Sequence, residues 1–150
     1  MNGENEIASV IRRRIAQISE EVPGSIGDMM AFQLTDCDTK NNDYYMTCRT
    51  LPWMRNYAGT LHGGLCATIL DQAMGFVSYC LKPAEGTAPT VQLDVDYLRP
   101  LIPGEEVLVK VHVVSVTRHF ITLSAEAMRK ENPEKPCLSG TGIYFFKPAV

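Results

Sequence analysis

The chain has 150 residues, the length of one ordinary domain, and a chain of this size buries about 70% of its extended surface without staples. Lys and Arg number 14 against 17 Asp and Glu, a net charge of −3, which argues against a general nucleic-acid binder that works by neutralising phosphates. With 45% hydrophobic and 21% charged residues, the composition is that of a folded chain. The N-terminal stretch MNGENEIASVIRRR is acidic before it is basic and has no apolar core, so no secretory signal is expected. No apolar run approaches ~18 residues, so no membrane span is expected either. The cysteines are five, an odd number, with no CxxC pair, which fits neither a disulfide framework nor a zinc site. A reducing, cytoplasmic compartment is the expectation.

Between Glu4 and Glu21, Ile7, Val10, Ile11, Ile15 and Ile18 recur on one helical face, and Pro23-Gly24 ends the helix. Within it, Arg12-Arg13-Arg14 reads as a solvated flank rather than a phosphate site. A turn over Asp38 to Asp43 leads into a strand from Tyr44 to Leu51. A loop follows from Pro52 to His62. Gly63 to Leu81, GGLCATILDQAMGFVSYCL, is apolar on most of its circumference, which predicts a central buried helix closed by Lys82-Pro83. Beyond it the period changes to two. Thr90 to Leu98 sets Val91, Leu93, Val95 and Tyr97 against polar neighbours. Glu105 to Val116 places Val107, Val109, Val111 and Val113 on one face. Phe120 to Lys130 and Cys137 to Lys147 complete four strands, with Asn132-Pro133 in the last turn. Short connections imply antiparallel neighbours. The expectation is a single α+β domain over 1–150: an N-terminal helix within 1–24 and a core over 44–147, where a curved antiparallel sheet wraps the long helix.

A carboxylate inside that helix stands out, because burying one is costly unless it is paired or used. At ~100° per residue, Gly64, Ala67, Gly75 and Ser78 all lie within about 40° of Asp71, a stripe of small side chains that leaves room beside the acid. Gly63 and Gly64 open the helix with orphan N–H donors at the positive end of its dipole, suited to a developing oxyanion. The same pair also serves close helix–strand packing, and the residues alone do not choose. Gly63 and Asp71 are separated by ~12 Å along the helix, too far to meet one carbonyl from one chain. If both act on one substrate, a second copy supplies one of them, which predicts an obligate homodimer with two composite sites. Cys66, one turn after His62, suggests a Cys–His nucleophile, but it lies about 140° from Asp71 and reads as a small buried hydrophobe. His112 and His119 read as surface histidines outside any ligand cluster. Tyr144, Phe145 and Phe146 read as core or interface, with an acyl tunnel as the alternative.

Asn56, His62-Gly63-Gly64 and Asp71, followed by the strand TVQLDVDYLRP, resemble the hotdog-fold thioesterases of the PaaI-like type, and the resemblance runs from about Tyr44 to Lys147. It implies hydrolysis of acyl-CoA or acyl-carrier thioesters with no metal and no cofactor beyond the coenzyme A of the substrate. Asp71 would be the general base, or alternatively the nucleophile. Gly63 N–H would hold the oxyanion with Gly64 beside it. His62 would shape the turn, and Asn56 would position water or carbonyl. Thr90 falls where relatives often place Ser or Thr, and Gly75 would lie against the substrate. Arg99, Arg118, Arg129, Lys130 and Lys147 are candidates for the CoA phosphates, and Trp53, Met54, Met74, Tyr79 and Leu81 for the pocket floor. Relatives form dimers that often pair into tetramers. Hotdog folds also carry enoyl hydratases and dehydratases, and a non-catalytic acyl-CoA-binding role is the third reading.

Overall fold

The computed structural model describes residues 3–81 and 86–148. Helix α1 (Gly3–Glu21) and the single turn α2 (Ile26–Met29) precede strands β1 (Gln33–Asp38) and β2 (Asp43–Arg49). A 3₁₀ turn over Pro52–Met54 leads to the long helix α3 (Gly63–Cys80). Strands β3 (Gly86–Thr87), β4 (Thr90–Tyr97), β5 (Glu106–Val116), β6 (Phe120–Arg129), β7 (Pro136–Phe145) and β8 (Lys147–Pro148) follow. Six strands form one antiparallel sheet in the order β1-β2-β5-β6-β7-β4, and β3 pairs with β8 separately. This is the expected helix-in-sheet architecture. Among the described residues, no helix is long and apolar enough to cross a membrane.

Alternation builds the sheet's inner face. Val107, Val109, Val111 and Val113 of β5 are buried beside Ile121, Leu123, Ala125 and Ala127 of β6. In register, Val109 faces Ala127 and Val111 faces Ala125, so branched side chains sit opposite small ones. Against this face α3 lays Cys66, Ile69, Leu70, Ala73, Met74 and Val77. Two glycines of β7 set how closely it lies. A Cβ on Gly140 would come within 2.9 Å of Leu70 Cδ1, and one on Gly142 within 3.0 Å of Met74 Cε. The helix therefore rests closer to β7 than any larger residue would allow. On the flank, α1 seals the core with Ala8 and Ile11, while Ile7, Ile15 and Ile18 pack at its margin. Val10, expected on that face, lies at its edge and is 37% exposed.

Some expectations are corrected. α2 and β1 are additional elements. β1 reads QLTDCD, and a bulge between Leu34 and Asp36 breaks its alternation, so no apolar period marks it. On β4, Leu93 and Val95 pack against the core, but Val91 and Tyr97 are 59% and 57% exposed. β4 is an edge strand whose pattern continues past the part that α3 covers. The expected helix stop at Lys82-Pro83 lies outside the described residues.

Candidate active site

The loop before α3 folds on Asn56. Its N–H donates to Thr60 O at 2.7 Å, its side-chain Nδ2 donates to Thr60 Oγ1 at 2.8 Å, and its Oδ1 accepts from Thr60 N–H at 3.0 Å. Gly59, at φ 84°, makes the turn possible. Leu61 N–H bonded to Leu101 O and His62 N–H bonded to Met54 O fasten the loop to the body. His62 then caps the helix. Its backbone is extended (φ −61°, ψ 134°) and its Nδ1 accepts from Gly64 N–H at 3.1 Å. A neutral ring whose Nδ1 accepts carries its proton on Nε2.

The two glycines thus differ. Gly64 N–H is engaged by the cap. Gly63 N–H has no hydrogen-bond partner among the described residues, whereas Gly63 O accepts from Tyr97 Oη at 2.9 Å. Tyr97 pins the tip of α3 to β4 and leaves one donor free at the positive end of the dipole. Asn56, Gly63, Cys66, Tyr97 and Arg99 line a cleft of about 280 Å³ there.

Two turns further along, Asp71 is half-buried. Thr90 Oγ1 donates to its Oδ1 at 2.7 Å, and Tyr144 Oη donates to the same oxygen at 2.9 Å. Tyr144 also reaches Asp71 O at 3.1 Å. Thr90 and Tyr144 are register partners across β4 and β7, so the sheet delivers both hydroxyls as a pair. Burial and then the charge of Asp71 push the Tyr144 phenol above its ordinary range, so it remains a donor near neutral pH. With Oδ1 held by two hydroxyls, Oδ2 is the oxygen available to take a proton. Tyr144 was expected as core, interface or tunnel wall, and its role at the acid was missed. One signal pointed to it: Gly140, Gly142 and Tyr144 share one face at period two, and the glycines draw that face onto the helix.

The structure therefore gathers Asn56, His62, Gly63 and Gly64 at one end of α3, and Asp71 with Thr90 at its middle, ~12 Å apart on one chain. Along the stripe of small residues, a Cβ on Gly75 would meet nothing within 4 Å. Ser78 is a correction: it is fully buried and donates to Gly75 O at 3.0 Å, so the open face ends there. Cys66 is 3% exposed and its thiol is pushed up to about 11 by burial, as a small hydrophobe should be. Of the floor candidates, Met54 and Met74 are fully buried in the core and Trp53 is 54% exposed.

Two further expectations change. Arg129 makes two 2.6 Å bonds to Glu105, and Lys130 pairs with Glu106 at 2.8 Å, so these two cations are neutralised locally. His112 is not a lone surface residue: its Nδ1 lies 2.8 Å from Asp43 Oδ1, beside Lys110. Burial works against ionising Asp43, but hydrogen bonds from Lys110 and His112 outweigh it and hold the carboxyl below its usual range.

The family model described as the thioesterase superfamily matches residues 58–135, about half of the chain. Acyl-coenzyme A thioesterase 13 of Mus musculus is 32% identical over 77 residues, 50% of this chain and 53% of that protein. The chain thus spans about half the length of the curated relatives it matches. The E. coli PaaI protein of the phenylacetic acid degradation operon superposes with a TM-score of 0.74 at 15% identity, covering 93% of this chain and 96% of that one. A Streptococcus mutans protein bound to acetyl CoA gives a TM-score of 0.66 at 21% identity, covering 79% and 90%. By the family match over half its length the chain belongs to the thioesterase superfamily, and it shares its hotdog fold with PaaI.

Proposed function

We propose that this chain hydrolyses acyl-CoA thioesters at two composite sites of a homodimer. The observation that carries the reading is the pair of unlike poles on one helix: a Gly63 N–H at its tip with no partner among the described residues, and Asp71, held by Thr90 and Tyr144, at its middle. The name of the mouse relative and the acetyl CoA bound in the Streptococcus mutans protein support the substrate class.

The sheet supplies the means of pairing. β4 has a partner on one side only, and Val91, Tyr97 and Leu98 are more than half exposed along it. A long open edge with apolar side chains invites a second strand. Two copies joined antiparallel through β4 bring their α3 helices side by side, with Gly63 of one opposite Asp71 of the other. Closed two-fold pairing creates both sites at once.

In each site Asp71 Oδ2 takes a proton from water as the water oxygen attacks the thioester carbonyl. Negative charge grows on the carbonyl oxygen and is held by the Gly63 N–H of the second copy at a helix N-terminus; one such donor is worth about 3–4 kcal/mol. Collapse of the tetrahedral adduct breaks the carbon–sulfur bond, and the departing thiolate takes the proton. The products are a free acid and coenzyme A. A thioester is an activated acyl donor, so the step needs no metal, and the chain takes no cofactor beyond the coenzyme A of its substrate. Five cysteines, an odd number without a CxxC pair, suit a reducing, cytoplasmic setting.

A hydratase or dehydratase would use His62 as a base. Its Nδ1 already accepts the cap hydrogen bond, which counts against that reading. Thiol release over a panel of acyl-CoAs decides: hydrolysis frees thiol, a hydratase changes enoyl absorbance without freeing thiol, and an acyl-CoA-binding protein does neither. Light scattering on the purified protein reads dimer against a pairing of dimers into tetramers. A fully active monomer would contradict the composite site.

A further inference from the structure

Of the run Arg12-Arg13-Arg14, the first two are exposed and the third turns inward. The Arg14 guanidinium carbon sits 4.1 Å from the centroid of the Tyr79 ring. Its Nη1 is 3.4 Å from Gln17 Oε1, a long contact to a neutral group. No carboxylate among the described residues forms an ion pair with it. Together with Ile18, Gln72, Gly75, Tyr79 and Pro89 it lines a cleft of about 280 Å³. The α3 lining of that cleft runs from Gln72, next to Asp71, to Tyr79, and a Cβ on Gly75 would meet nothing within 4 Å.

We infer that this cleft receives the distal end of the acyl group and that Arg14 binds a carboxylate there, so that the preferred thioesters are CoA half-esters of dicarboxylic acids. The inference rests on the hydrolytic reading above and deepens it. The five N–H donors of a guanidinium lie in one plane and take a carboxylate side-on through two bonds, which suits an arginine held on an aromatic ring. From Asp71 to Tyr79 the helix rises ~12 Å, a span that an extended acyl chain of roughly eight to ten carbons bridges together with its contact to the guanidinium. A cation placed at the far end of a largely apolar cleft, with no acid among the described residues paired to it, selects for charge at that end.

Suberoyl-CoA and octanoyl-CoA have the same chain length and the same coenzyme A, and differ in the distal carboxylate alone. The ratio of their kcat/KM values therefore isolates that group from any contact of Arg14 with the CoA phosphates. Arg14→Gln, which keeps a polar stem against Tyr79, is expected to lower the suberoyl-to-octanoyl ratio by about 10–100-fold, the size of a charge-assisted bond. Arg14→Lys, which keeps the charge without the fork, should restore part of it. An unchanged ratio in Arg14→Gln, with thiol released from both substrates, overturns the inference and leaves hydrolysis standing. If neither substrate releases thiol, the hydrolytic reading fails instead. Calorimetric titration of the same two thioesters into wild type and Arg14→Gln then decides the carboxylate site by the same ratio, taken on Kd.

Discussion

At one edge of the sheet, β1 is six residues long, broken by a bulge and flanked by α1; at the other, β4 runs for eight residues with Val91, Tyr97 and Leu98 open beside it. A short, kinked, acidic edge resists further pairing, whereas a long one with apolar side chains invites it. The asymmetry continues into the chemistry. The covered half, formed by β1, β2, β5 and β6, buries valines, Met46 and Cys48 and satisfies its charges within itself, Asp43 with Lys110 and Glu105 with Arg129. The open half carries the Gly63 N–H and Asp71 Oδ2, neither with a hydrogen-bond partner among the described residues. Groups left without partners in one chain mark the side on which a second copy and a substrate belong.

The largest test of this contrast is Asp71→Asn. The amide oxygen still accepts from Thr90 and Tyr144, so the fold and the dimer should persist, while kcat falls about 10²–10⁴-fold because the proton acceptor is gone. Steady-state thiol release beside circular dichroism measures both.

A lysine placed on each edge in turn probes the pairing. Val91→Lys replaces an exposed apolar side chain on the pairing edge of each copy with a charge and should weaken self-association by about 100-fold or more, with activity lost at nanomolar protein. Gln33→Lys on β1 should leave the mass and the activity as in wild type. Analytical ultracentrifugation separates the two outcomes.

Tyr144→Phe keeps the ring in the core and removes one of the two donors on Asp71 Oδ1. We expect kcat to fall by about tenfold with KM little changed, and stability to drop by about 1 kcal/mol. Equal effects on kcat and KM would argue for a packing role alone.

The smallest effect lies in the covered half. The Asp43 carboxyl has its folded pKa depressed, so its contribution is present above the unfolded value of ~3.9 and is lost as pH falls through the folded value. Asp43→Asn should therefore lower stability modestly at pH 7 and flatten the acid limb below about pH 4, the two stability curves converging at low pH, as read by denaturant melts across pH.

What could be read from the residues alone follows the same division. Regular apolar periods announced α1, α3 and the valine face of β5, because burial imposes them. Irregular segments gave no such signal: β1 carries a bulge, and α2 is a single turn. At the site, His62, Gly63 and Asp71 are close in sequence along one helix, so their spacing was visible. Tyr144 is 73 residues from Asp71; the period-two glycines of β7 mark the face it stands on, but which helix residue that face meets is a tertiary fact. Arg14 was hidden for a similar reason: a run of three arginines reads as solvated until the packing of α1 turns one of them inward.

The central claim is that each site takes its amide from one chain and its acid from the other, and subunit complementation tests it most directly. Gly63→Pro removes the N–H at the first helical position, where proline is tolerated and the extended His62 before it is already compatible. This variant and Asp71→Asn should each be nearly inactive as homodimers. Mixed by unfolding and refolding at equal amounts, they should recover about a quarter of wild-type activity, because half of the dimers are hybrids and each hybrid holds one intact site. A mixture as inactive as its parents would show that both groups act within one chain, and would contradict the account.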